Sequence, residues 1–164
     1  MAARIAGSGT LDGIDRKLLE ILQRDARVTN QRLSELVHLS PSACYERVRR
    51  LEKAGIVAAY RATIGLEKLA RTVTVVATAQ LASHDQAAFA KFDAVVKAMP
   101  EIVEAVLVSG PFDYVLRFVA ADMAAYHSAA DSLLAKAPPL AQFHSHVVLD
   151  RTKPFTGFPL DRLL

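Results

Sequence analysis

The hydrophobic period of this chain changes at Gly55, and that change limits what it can fold into. Before Gly55, apolar residues recur at helical spacing in three short stretches; after it, extended Val- and Thr-rich runs alternate with two helical stretches. The chain therefore reads as a small helical unit followed by an α+β unit.

In the helical part, Asp12 is placed to cap a first helix, with Asp15 three residues on at the positive end of its dipole. Ile14, Leu18, Ile21 and Leu22 share one face, and Asp25-Ala26-Arg27 ends the helix. A second helix is predicted over 31–37, capped by Thr29 or Asn30, with Leu33, Leu36 and Val37 inward. His38-Leu39-Ser40 leaves room only for a tight turn. Ser40 is a good N-cap, Pro41 suits the first position of a third helix, and Gly55 suits its stop. Two helices joined this closely must cross steeply, as in a helix-turn-helix. The expected core is Ile14, Leu18, Ile21, Leu22, Leu33, Leu36, Val48 and Leu51.

Beyond Gly55, residues 56–64 read as extended and 65–71 as a linker. The order is then strand 73–81, helix 84–99 with Phe89, Phe92, Val95 and Val96 inward, strands 102–109 and 113–120 around Gly110-Pro111-Phe112, helix 122–137, and strand 143–149. This βαββαβ order is ferredoxin-like, with the helices on one sheet face and the other face open for an interface. The expected division is 11–64 for the helix-turn-helix with a following strand, 65–71 for the linker, 72–155 for the βαββαβ domain and 156–164 for a C-terminal tail.

Winding 41–54 at about 100° per residue puts Cys44, Val48 and Leu51 on one side of the third helix. Ser42, Glu46, Arg49 and Lys53 fall opposite, with Tyr45 and Arg50 at the edges. One face can hold the scaffold while the other meets a DNA major groove. Arg pairs with guanine and Glu accepts from cytosine; the hydroxyls of Ser40, Ser42 and Tyr45 suit phosphate or base edges. Arg47, Arg49, Arg50 and Lys53 make this stretch basic. Residues 1–62 carry 11 Lys/Arg against 7 Asp/Glu, and the remainder carries 9 against 10, so an anionic partner is expected for the first part only.

The remaining composition sets bounds. With 164 residues, 52% hydrophobic and 23% charged, the chain can bury a core, but each unit is small enough that oligomerisation is expected to share the burial. The single cysteine, Cys44, allows no internal disulfide, and its place on the core face marks it as a packed thiol. No apolar run approaches the roughly 18 residues of a membrane span, and Met1 to Thr10 holds Arg4 and a loose Gly7-Ser8-Gly9 but no apolar signal core. A soluble cytoplasmic protein is expected. His144 and His146 share a strand face without a third ligand at fixed spacing, so no metal site is expected. No phosphate loop, nucleophile elbow or Cys/His pair points to an enzyme or a cofactor. His38 is read equally as a phosphate contact or a loop residue, and Arg117 as an ion-pair partner of Asp113.

The segments Leu11-Asp12-Gly13-Ile14-Asp15-Arg16-Lys17-Leu18-Leu19, Arg27-Val28-Thr29-Asn30, Leu39-Ser40-Pro41-Ser42 and above all 47–57 resemble the Lrp/AsnC, or feast/famine, family of transcriptional regulators. The resemblance resumes at Gly110-Pro111-Phe112-Asp113-Tyr114 and Val147-Val148-Leu149, spanning about 11–155. It implies a winged-type helix-turn-helix and a RAM/ACT-like βαββαβ sensing module. It further implies dimers formed through the sheets, often assembled to octamers, that bind amino acids between dimers and control amino-acid metabolism from the nucleoid. On that resemblance the effector residues are Ser109, Gly110, Phe112, Asp113, Tyr114 and Ser145. Free N–H groups of the turn suit an α-carboxylate and Asp113 an α-ammonium; an ordinary hairpin capped by Asp113 is the other reading. The last strand departs from the family, with Phe143 and Ser145 where two threonines often stand.

Overall fold

The computed structural model describes residues 10–164, so the expected loose tail at 7–9 and the rest of the signal-peptide question lie outside the described residues. Two compact units are present, one formed by the described residues up to Thr63 together with Lys153–Leu164, the other by Ile64–Thr152.

The first unit holds α1 (Gly13–Arg24), α2 (Asn30–Val37) and α3 (Pro41–Lys53). Asp12 and Asp15 form a reciprocal capping box at the start of α1. Thr29 caps α2 by accepting the Arg32 N–H, and Ser40 caps α3 by accepting the Ala43 N–H, with Pro41 at the first position. The turn is closed by His38 in the left-handed region (φ 57°), which lets the Leu39 N–H reach Ser34 O at 2.9 Å. The Asn30 side-chain amide donates to Pro41 O at 2.8 Å and pins the start of α2 to that of α3. Gly55 (φ +70°) ends α3 in a Schellman motif: Gly55 N–H bonds Glu52 O and Ile56 N–H bonds Leu51 O.

Leu18, Leu19, Leu22, Leu33, Val37, Cys44 and Leu51 are the buried core of this unit, with Ile14, Ile21 and Val48 packed on it. Leu36, expected in that core, is only half-buried. Residues 56–64 form no strand, contrary to expectation. The four strands among the described residues all lie in the second unit, so an extended segment here has no described strand to pair with.

The segment expected as a tail, 156–164, is folded onto this unit. Gln23 brackets Phe158, donating from Nε2 to its carbonyl (3.0 Å) and accepting its N–H on Oε1 (2.9 Å). Gly157 makes this approach possible, because at φ +127° a Cβ would stand 2.7 Å from the Gln23 amide. The short α6 (Leu160–Leu163) follows, and Leu160 packs on the core.

The second unit opens with a 3₁₀ turn (Leu66–Lys68) within the expected linker. It continues as β1 (Val73–Leu81), α4 (Gln86–Lys97), β2 (Ile102–Leu107), β3 (Tyr114–Ala120), α5 (Met123–Lys136) and β4 (Leu140–Val147). The sheet is antiparallel in the order β2-β3-β1-β4. Val75, Ala77, Ala79 and Leu81 of β1 and Tyr114, Leu116, Phe118 and Ala120 of β3 alternate toward α4 and α5, meeting Phe92, Val96, Tyr126 and Leu133. The opposite face carries Val76, Thr78, Val115, Arg117, His144 and His146, so it is more polar than a core face. Strand β4 starts three residues earlier than expected and stops at Val147, because its pairing with β1 begins at Leu81↔Leu140.

Candidate DNA-reading helix and effector turn

On α3 the division of faces is sharp. Cys44 and Leu51 are fully buried, and burial pushes the Cys44 thiol pKa up, keeping it protonated and inert. Ser42, Glu46, Arg49 and Lys53 are exposed, as is Tyr45 at 53%. Ser40 sits at the exposed N-terminus with its hydroxyl 3.2 Å from that of Ser42. Arg49 makes no ion pair among the described residues. These six side chains are brought together on one surface of the helix.

Arg47 and Arg50, expected with them, are turned to α1 instead. Arg47 Nη1 donates to Asp12 Oδ2 (2.6 Å) and to Asp15 Oδ1 (2.9 Å), and Arg50 Nη2 donates to Asp15 Oδ2 (2.5 Å). Asp15 is 0% exposed, so its charge is held by these two guanidinium groups and by the Asp12 N–H at 3.1 Å. The physical reason for this inward turn is the demand of a buried carboxylate for countercharge. The Asp15 N–H and the Arg47 guanidinium hold the Asp12 carboxyl below its usual range, and the two carboxylates raise Arg47 in turn. Asp15 was missed as a hub. Its signal was present, as the spacing of Asp12 with Asp15 matches that of Arg47 with Arg50, three residues apart on single helix faces.

The turn between β2 and β3 brings Ser109, Gly110, Phe112 and Asp113 together. Gly110 has φ +130°, and the turn is closed by the Val108 N–H bonding Asp113 O at 2.8 Å. The Asp113 carboxylate, 15% exposed, is already engaged: Oδ2 accepts the Leu81 N–H (2.7 Å) and Oδ1 lies 3.0 Å from His84 Nε2. The expected ion pair with Arg117 is absent. Cross-strand register sets Arg117 opposite Glu104, and Nε bonds Oε2 at 3.0 Å. Tyr114 faces the helices, where it is buried, stacks 4.5 Å from Phe92 and donates its hydroxyl to Asp93 (2.8 Å); burial and that bond raise its phenol well above the usual range. Ser145 is not brought to the turn. It stands opposite Ala77 on β4, with β1 between it and β3, and its hydroxyl bonds Tyr126. Phe143 packs on the helix-side core. The turn therefore assembles four of the six expected effector residues; Tyr114 points into the core, and Ser145, exposed on β4, bonds Tyr126.

A one-sided basic helix on a helix-turn-helix, joined in one chain to a βαββαβ unit, defines a DNA-binding regulator with a ligand-binding-type module. Comparison with known proteins bears this out. The Lrp/AsnC ligand binding domain matches residues 74–158, and a winged helix-turn-helix DNA-binding domain matches 11–58. The leucine-responsive regulatory protein of Haemophilus influenzae is 40% identical over 143 residues, covering 87% of this chain and 86% of that protein. The transcriptional regulatory protein DoeX of Halomonas elongata is 37% identical over 154 residues, 93% of this chain and 98% of its own. Among solved structures, an AsnC family transcriptional regulator from Agrobacterium tumefaciens superposes with a TM-score of 0.87 at 34% identity, over 94% of this chain and 100% of that one. A transcriptional regulator from Neisseria meningitidis, solved as a complex with L-Met, gives 0.86 at 36% identity over the same shares. The chain belongs to the Lrp/AsnC family of transcriptional regulators. Its relatives are regulators of transcription and not enzymes, and no helix among the described residues is long and apolar enough to cross a membrane.

Proposed function

We propose that this protein is a sequence-specific regulator of amino-acid metabolism genes, working in the cytoplasm on nucleoid DNA and modulated by a small effector such as an amino acid. The observation that carries the DNA half is the unspent outer face of α3. Ser42, Tyr45, Glu46, Arg49 and Lys53 enter the major groove, and Ser40 meets a phosphate near the helix N-terminus. A two-fold dimer formed through the open sheet faces, assembling further to an octamer, presents paired helices to half-sites about one helical turn or a multiple apart.

Ser109, Gly110, Phe112 and Asp113 form the chain's own part of the effector site, which a neighbouring dimer completes. The L-Met complex of the Neisseria relative supports an amino acid as ligand. A second reading, an architectural DNA-binding protein of the same fold without an effector, is favoured by the bonds that already occupy Asp113.

Fluorescence anisotropy of a duplex from upstream of the protein's own gene, against random duplex at about 0.15 M salt, with and without the twenty amino acids, separates the two. Preferential binding that shifts with the mixture supports the sensing regulator. Weak, equal binding to both duplexes with a steep salt slope supports the architectural reading.

A further inference from the structure

The structure assigns to Asp15 a role in DNA reading: it is the positioning residue that sets the rotation of α3 and so decides which side chains reach the bases. This inference rests on the reading of α3 as the groove helix. Asp15 is fully buried on α1, yet both of its oxygens are used on α3, Oδ1 by Arg47 and Oδ2 by Arg50. Two anchor points one helical turn apart on a single face fix both the rotation of a helix about its axis and its position along it. A slip of one residue corresponds to about 100° of rotation, which would carry Arg49 and Glu46 away from the groove. The apolar contacts of Cys44, Val48 and Leu51 fix depth, but they are non-directional and tolerate such a twist far better than paired charges do.

The same network keeps Arg47 and Arg50 out of the DNA-contact set. Asp12 closes it from the rim by sharing Arg47 Nη1, and the arrangement leaves Nε of Arg50 buried without an acceptor. A helix stabilised only for its own sake would not strand that group; a helix held at one angle tolerates it. Two carboxylates thus remove two of the four cations of 47–53 from phosphate contact, leaving Arg49 and Lys53 on the outer face. Non-specific attraction is lowered while the reading side chains stay aimed.

The experiment uses the full-length protein and the tightest duplex that the wild type selects from a random pool, with an unselected duplex as control, across a salt series. The variants are Arg50→Met, which removes one anchor but leaves Asp15 paired with Arg47, and Asp15→Asn, each checked for helix content by circular dichroism. Arg50→Met is expected to lose tenfold or more on the selected duplex, with less than threefold change on the control and an unchanged salt slope. Asp15→Asn is expected to lose specificity likewise and to steepen the slope on control DNA, because freed arginines then meet phosphates. A parallel loss on both duplexes with a salt slope reduced by about one for Arg50→Met would make Arg50 a phosphate contact and overturn the assignment. Unchanged discrimination in both folded variants would also overturn it. A pool that yields no enriched sequence would overturn the sequence-specific reading itself, and this assignment with it.

Discussion

The outer face of α3 and the turn between β2 and β3 handle their polar groups in opposite ways. On α3 the inward charges close on one another, Asp12 and Asp15 with Arg47 and Arg50, and the outward Glu46, Arg49 and Lys53 make no ion pair among the described residues. At the turn Asp113, the group suited to a ligand ammonium, is already bonded by Leu81 and His84, and two further polar groups expected there lie elsewhere, Tyr114 bonded to Asp93 and Ser145 to Tyr126. On the proposed function, the groove-reading surface would be complete in one chain, whereas an amino-acid site would not. An effector must displace internal bonds or be met by groups of another copy. That suits a regulator whose DNA contacts are constant and whose sensing depends on assembly.

Several substitutions would break or sharpen this contrast. Asp15→Ala has the largest expected effect. It leaves Arg50 without an acceptor and Arg47 with Asp12 alone, and because both arginines can partly rehydrate, the loss falls below the buried-pair range, at about 2 kcal/mol. Urea unfolding of the first unit measures it; a loss under about 1 kcal/mol would mean that the network is no more than a surface pair.

Arg49→Ala comes next. It should cost about 1–3 kcal/mol on a specific site and relax one base position, with no change in the unfolding midpoint. Equal losses on all sequences would make Arg49 a phosphate contact. At the turn, Asp113→Ala removes the carboxylate that holds the Leu81 N–H and is expected to cost about 1–2 kcal/mol of stability, while DNA affinity in the absence of effector stays as it was. A fall in basal DNA affinity would break the separation of roles.

The smallest effect concerns acid. Asp12 has its pKa lowered in the folded chain, so its contribution is present above the ordinary aspartate range and is lost as pH falls through the lowered value. Asp12→Asn should therefore lower stability slightly at neutral pH and flatten the acid limb, the two profiles converging as pH falls below the lowered value; a steeper acid limb would contradict the assignment.

Much of the fold was legible because local signals agreed with one another. Asp12, Ser40, Pro41 and Gly55 each state a helix end by their own chemistry, and the Val/Thr run at 73–81 is bounded as read. What stayed hidden depended on partners distant in sequence. Helical winding shows that Arg50 lies at the edge of α3 but not that Asp15 waits across from it. Strand alternation puts Arg117 and Asp113 on the same side, but only the β2–β3 register pairs Arg117 with Glu104. Ser145 was aligned by resemblance with the effector turn, although β1 separates their strands. The terminal segment looked like a tail because α6 is only four residues long; Leu160 was the apolar signal that it docks.

The most direct test of the contrast is native mass spectrometry of the protein with the twenty amino acids, scanned over protein concentration. The account predicts one or more amino acids bound to dimers or larger assemblies and none on the monomer. A monomer that carries the ligand at one-to-one stoichiometry would show that a single chain completes the site, and would contradict it.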